Sequence, residues 1–207
     1  MRILDVGCSH GGWVLLFRRI LKAEEAYGVD ISEDGVKIAN EKGVKAFKVD
    51  LNSESFPFKD AFFEIVFLME VIEHLVNPDN CLREINRVLK HSGVLVMTTP
   101  NLASFVNRIV LLGGYQPYFA ETSLECAEGY FFGKRYRHTT SGHLRLYTLK
   151  GLKGLLLDHG FQVVHAFGVP SVKNVPKTVL WVDRVLRRFP SLTINMALYA
   201  RKELKEK

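Results

Sequence analysis

The stretch ILDVGCSHGG, residues Ile3 to Gly12, runs an apolar strand into an acid and then into a glycine-rich turn, with a helix expected over Trp13 to Leu21. Gly7, Gly11 and Gly12 carry no Cβ, so the backbone can turn sharply there and a ligand can lie against the main chain at the start of a helix. A second short apolar strand, Ala26 to Asp30, ends in another acid. Its distance from the turn is close to the offset of about 20 residues at which a carboxylate meets a ribose hydroxyl pair in two-strand nucleotide sites. Each feature has a plainer reading. Glycines at a strand-to-helix turn often serve only tight packing, and Asp30 stands where it can cap a helix starting after Ser32.

Outward from this turn, strands and helices alternate, which argues for an α/β fold with a mostly parallel sheet covered on both faces. Strands are expected at Arg2 to Asp5, Ala26 to Asp30, Lys45 to Val49, Ile65 to Leu68, Val94 to Thr98, Phe161 to Phe167 and Ile194 to Ala200. Between Asn80 and Lys90, the apolar residues Leu82, Ile85, Val88 and Leu89 fall at helical spacing, and His91, Ser92 and Gly93 are expected to stop that helix. A later helix carries Trp181, Val182, Val185 and Leu186 on one face, with Arg184, Arg187 and Arg188 on its exposed side. Such a basic amphipathic helix suits a surface and allows peripheral contact with an anionic membrane.

Four blocks in this order resemble the class I S-adenosylmethionine-dependent methyltransferases, small-molecule methyltransferase type 11-like. They are ILDVGCSHGG (Ile3 to Gly12), YGVDIS (Tyr27 to Ser32), VDLNSESFPFKDAFFEIVFLMEVIEHL (Val49 to Leu75) and LREINRVLKHSGVLVMTTPN (Leu82 to Asn101). A weaker fifth block spans Gly142 to Val164. The resemblance implies a Rossmann-like seven-stranded sheet of order 3-2-1-4-5-7-6, strand 7 antiparallel, with helices on both faces. It also implies S-adenosyl-L-methionine as cofactor, S-adenosyl-L-homocysteine as product, and transfer of a methyl group to an acceptor by in-line SN2 displacement. Carried over position by position, it places the cofactor against Asp5, Gly7, Cys8, Ser9, Gly11, Asp30, Ile31, Asp50, Leu51, Met69 and Glu70. Ser9 departs from the family, which has glycine there, and a left-handed turn is less comfortable for serine. Asp50 taken alone reads equally well as a loop cap.

The run Glu70 to Leu75 (EVIEHL) follows the fourth strand and matches a recurring family signature. His74 can take a proton from an acceptor, and Glu70 shares that candidacy, although a histidine at a helix start commonly only packs or hydrogen-bonds. Residues 101–143 are too long for an ordinary connection and read as an insertion forming a lid or acceptor wall in an otherwise single domain, 1–207. The insertion and the residues just after it hold Tyr136, His138, His143, Arg145 and Tyr147. His138 and His143 join His74 as catalytic candidates, while Arg135, Arg137 and Arg145 suggest an anionic acceptor. Because the chain starts almost on its first strand, the insertion is expected to cover the cofactor.

With 207 residues, 47% of them hydrophobic, the chain can bury a core without metal or disulfide support. The net charge of +6 is scattered among acids, which argues against a nucleic-acid surface. Cys8, Cys81 and Cys126 show no paired spacing, so neither a metal site nor a disulfide is expected, and with no apolar run of spanning length the expected setting is cytoplasmic. Two other classes share these features: an NAD-dependent oxidoreductase, and a catalytically inactive methyltransferase-like binding protein. Ser9 and His10 interrupt the G-x-G-x-x-G turn that the first would use.

Overall fold

The computed structural model describes residues 1–123, 125, 127–131, 134–138, 140–169 and 177–203. Its first half alternates strand and helix: β1 (Arg2–Val6), α1 (Gly12–Leu21), β2 (Glu25–Asp30), α2 (Glu33–Glu41), β3 (Lys45–Lys48) and β4 (Phe63–Met69). A 3-10 turn, Ile72–His74, then leads into α3 (Pro78–Val88) and β5 (Leu89–Pro100). The second half holds α4 (Phe105–Leu112), a hairpin of β6 (Ala127–Phe131) and β7 (Lys134–His138), α5 (Leu149–Asp158), β8 (Phe161–Val169), α6 (Lys177–Val185) and β9 (Asn195–Lys202).

Seven strands form one sheet in the order β3-β2-β1-β4-β5-β9-β8. Pairing is parallel from β3 to β5, and β9 runs antiparallel to both β5 and β8. Since β8 and β9 are the sixth and seventh strands of this sheet, the order is the expected 3-2-1-4-5-7-6 with strand 7 reversed. Alternate residues of each strand face opposite cores. Leu4, Val66, Leu95 and Leu198 pack with Leu82, Ile85, Leu152 and Leu156 of α3 and α5, whereas Ile3, Ala26 and Phe67 pack with Val14 of α1 and Ala39 of α2.

The helix starts follow side-chain capping chemistry. Ser32, Asn77, Ser104 and Thr148 each accept an amide three residues ahead, opening α2, α3, α4 and α5, and Pro78 adds its fixed φ at the start of α3. Helix α1 differs: its N-cap is Gly11, left-handed at φ 74°, and no side chain caps it.

Three local expectations are corrected. Helix α3 already ends at Val88, and β5 runs through His91, Ser92 and Gly93 with Ser92 at φ 62°, because Leu89 pairs with Phe63 before the register shifts. The insertion contains a hairpin that its irregular aromatic pattern did not announce. In α6, Trp181 and Val185 are exposed and Asp183 is buried, where its carboxylate accepts the Ile194 amide at 2.8 Å. Satisfying that amide at the entry to β9 sets the helix's rotation against its apolar pattern.

Candidate functional site

The carboxyl ends of β1, β2, β3 and β4 converge at one edge of the sheet, the edge at which open parallel sheets bind ligands. β1 delivers Asp5, Gly7 and the turn; β2 delivers Asp30, with Ile31 next; Asp50 and Leu51 follow β3; Met69 ends β4 and Glu70 follows it.

The turn is built largely by packing. Gly7 has φ 80°, and a Cβ there would meet Val71 Cγ2 at 2.4 Å, so a side chain is excluded twice over. Cys8 is buried with its thiol pressed toward Gly28, and burial pushes that thiol's pKa up to about 12. It therefore remains a protonated packing group, and the side of the turn available to a ligand is main chain. Ser9 takes φ 45°, the left-handed conformation that disfavours a Cβ. Beyond it, Gly11 opens α1 without a side-chain cap and a Cβ on Gly12 would meet nothing within 4 Å, which leaves the first helical amides open to an acceptor group.

Asp30 organises this edge. Its Oδ2 accepts the Ser9 amide at 2.8 Å and its Oδ1 accepts the Ser32 amide at 2.9 Å, tying the glycine turn to the start of α2. Each carboxylate oxygen keeps a further lone pair for a ligand hydroxyl. Ser32, not Asp30, caps α2, so Asp30 acts as a turn residue, and its two backbone bonds do not exhaust its capacity to accept. Ile31 beside it is 62% exposed, an apolar surface left free at the rim. Asp5 is 3% exposed, and burial, reinforced by the Asp30 charge, raises its pKa to about 7.

Asp50 is used mainly by its own loop. Its Oδ1 accepts from the Asn52 amide and side chain and its Oδ2 from Ser53 Oγ, holding its carboxyl below the usual range, chiefly through the Asn52 amide. Leu51 is buried in the core. Met69, partly buried, borders the core on the α1 side. Glu70 has φ 54° and donates its amide to the Thr98 carbonyl at 3.1 Å; the residue as a whole is exposed, while desolvation of its carboxyl chiefly raises the pKa.

Across from the glycine turn lies a second cluster that joins distant segments. Glu73, in the 3-10 turn, is fully buried; its Oε2 accepts from Thr99 Oγ1 at 3.0 Å and its Oε1 has no partner among the described residues. Burial first, and Glu70 second, raise its pKa to about 8. His74 and His143 approach to a ring-centroid separation of 4.8 Å. Burial, helped by His74, lowers the pKa of His143. The Glu73 carbonyl accepts the amides of Leu144 (2.8 Å) and Arg145 (3.0 Å), while Glu121 accepts those of Ser141, Gly142 (2.9 Å) and His143 (3.2 Å). His143 is thus clamped beside His74 from two sides.

Two of the three candidate histidines are therefore brought together; the side chain of His138 lies outside the described residues, as do those of Arg135, Tyr136 and Arg137, and so does Cys126. Arg145 is occupied by the Val76 carbonyl at 2.6 Å, and the hydroxyl of Tyr147 is buried without a partner among the described residues. Glu73 was legible only as part of a signature, and Glu121, a lone acid in an irregular segment, carried no sequence signal.

The model of a methyltransferase-domain family matches residues 1–166. An uncharacterised protein of Methanocaldococcus jannaschii is 28% identical over 196 residues, 91% of this chain and 72% of that one. The ubiquinone biosynthesis O-methyltransferase of Maricaulis maris is 28% identical over 118 residues, 55% of this chain and 46% of its own. Seven relatives, the Maricaulis enzyme among them, match over only 36–46% of their own length. Among solved structures, an S-adenosylmethionine-dependent methyltransferase of Mesorhizobium loti superposes with a TM-score of 0.62, covering 97% of this chain and 90% of that one at 15% identity, a likeness of fold.

Proposed function

We propose that this chain, which belongs to the methyltransferase-domain family, moves a methyl group from S-adenosylmethionine to a hydroxyl of a small-molecule acceptor. The observation that carries the reading is the placement of the uncapped start of α1 and the doubly anchored Asp30 at one end of the ligand edge, with the Glu73, His74 and His143 cluster at the other. The cradle suits the cofactor chemically. Main-chain amides at the glycine turn can receive its carboxylate, the free lone pairs of Asp30 its ribose hydroxyls, and the exposed face of Ile31 its base. When bound, S-adenosylmethionine supplies an electrophilic sulfonium methyl, whose C–S electron pair stays on sulfur while an acceptor lone pair forms the new bond.

The chain then has three tasks. Asp5, Asp30 and the turn fix the cofactor; Met69 and Glu70 border the reacting end; and the Glu73, His74 and His143 cluster orients the acceptor and handles its proton. Asp50 contributes by holding its loop, through Asn52, against the segment at Val76 and Asn77. The acceptor wall includes Glu121 and the segment bearing His143 that it secures. The oxygen acceptor is supported by the imidazoles and by the named activity of the Maricaulis relative. Incubation with methyl-labelled cofactor and a fractionated metabolite extract tests the reading. A labelled O-methyl product is expected, and absence of any labelled product under conditions where S-adenosylhomocysteine binds would leave only a binding protein.

A further inference from the structure

Glu73, His74 and His143 each offer a ligand atom, and the three atoms lie within 4.8 Å of one another. Residue types, tautomers and supports all suit a cation. His74 Nδ1 lies 3.0 Å from the Gly142 carbonyl and His143 Nδ1 lies 3.3 Å from the Phe119 carbonyl. A carbonyl only accepts, so each Nδ1 carries the proton and each Nε2 keeps its lone pair, the arrangement that backbone carbonyls impose on metal-binding imidazoles.

The carboxylate supplies an independent observation. Glu73 is fully buried, one oxygen is held by Thr99, and the other, Oε1, is left without a partner among the described residues. A buried carboxyl oxygen without a hydrogen-bond partner is costly in either protonation state, and a cation at the two imidazoles would ligate it in place of a proton. The scaffold is also rigid: the Glu73 carbonyl holds Leu144 and Arg145, and Glu121 holds Gly142 and His143, so two remote segments are fixed together. Bonds of roughly 2.0–2.2 Å bring donors on one ion to about 3–3.5 Å from each other, so side-chain rotations of about 1 Å close the set.

We propose that Glu73, His74 and His143 bind one divalent transition-metal ion, with Glu121 and Thr99 as positioning residues. Two imidazoles and one carboxylate suit Zn2+, Mn2+, Co2+ or Fe2+ and leave coordination positions open for oxygen. The acceptor is then a molecule presenting a hydroxyl, or two adjacent hydroxyls, to the ion, which polarises the O–H bond. This second part rests on the methyl-transfer reading above, whereas metal binding stands without it.

The experiment titrates Co2+, alone and against Zn2+, into the full chain stripped with a chelator, following the visible absorption of Co2+ and the heat of binding. The melting temperature of each sample is also taken with and without S-adenosylhomocysteine. One Co2+ per chain, displaced by Zn2+, is expected. His143→Ala and Glu73→Gln should abolish the absorption band, and Thr99→Val should weaken affinity by roughly 10–100-fold. Should the buried Glu73→Gln variant fail to fold, the partly exposed His143 carries the test. Absence of stoichiometric Co2+ binding, or binding unchanged in His143→Ala, overturns the site. A chain that gains melting temperature with S-adenosylhomocysteine yet takes no Co2+ refutes the metal and leaves the methyl-transfer reading standing; Co2+ binding without a cofactor response supports the metal and refutes that reading.

Discussion

The two ends of the ligand edge are built in opposite ways. At the cradle, each functional group sits at or just after the end of a strand and is held within its own turn or by the turn of an adjoining strand: Asp30 binds Ser32 beside it and Ser9 after β1, and Gly7 is fitted to Val71 after β4. At the histidine cluster, Glu73 and His74 meet Thr99 and the Gly142–His143 pair that Glu121 holds, so four separated segments are joined. The first design follows from strand-turn chemistry and tolerates little variation. The second depends on the whole topology and leaves freedom in what it binds, which is why cofactor identity is so much more legible than acceptor identity.

Asp5 offers the largest effect on the cradle side. Its pKa is raised from about 3.8 unfolded to about 7 folded, so between these values the folded chain holds a proton that the unfolded chain has lost. Stability is thus expected to fall as pH rises from 4 to 7, by up to ~4 kcal/mol from this group, and to level off above. Asp5→Asn should reduce the slope of urea midpoints measured across pH 4 to 8, leaving the part that the raised pKa of Glu73 contributes in the same direction. Parallel slopes in the two proteins would detach Asp5 from the account.

Asp30→Ala should weaken S-adenosylhomocysteine binding by roughly 100-fold, from losing about 3 kcal/mol of charged hydrogen bonds, while Asp34→Ala, in the exposed first turn of α2, changes it little. Equal affinities in calorimetry would return Asp30 to a purely structural role. The other end of the edge should respond differently. Glu121→Gln should leave cofactor affinity intact but lower kcat by about tenfold or more, because His143 loses its anchor. A change in cofactor affinity alone would erase the distinction between the two ends.

The smallest effect separates strain from function. Ser9→Gly should relieve the left-handed backbone at φ 45° and raise stability by about 1 kcal/mol, or roughly 2–4 °C in Tm, without weakening the cofactor. A lower Tm would mean that Ser9 is there for its hydroxyl, which lies 3.0 Å from His10 Nδ1.

Strand placement was legible because it rests on short-range pattern, namely alternation, glycine turns and acids at strand ends, whereas the sheet order followed from the family resemblance and not from periodicity. Asp50 shows the limit of such reading, since an Asx turn and a ligand contact demand the same residue at the same place. Helix α6 shows another. Its apolar stripe suggested the inward face, but one buried bond from Asp183 to Ile194 turns Trp181 outward. The histidine cluster was half visible, with His74 and His143 both recognised as reactive types and their meeting fixed only by Glu121 and the Glu73 carbonyl.

The most direct test of the central claim, that the turn and Asp30 form an S-adenosylmethionine cradle, is a melting curve of the chain with S-adenosylhomocysteine and, separately, with NAD. S-adenosylhomocysteine at about 100 times its Kd is expected to stabilise by roughly 2.7 kcal/mol, with the shift lost in Asp30→Ala and absent with NAD. Stabilisation by NAD alone would contradict the account.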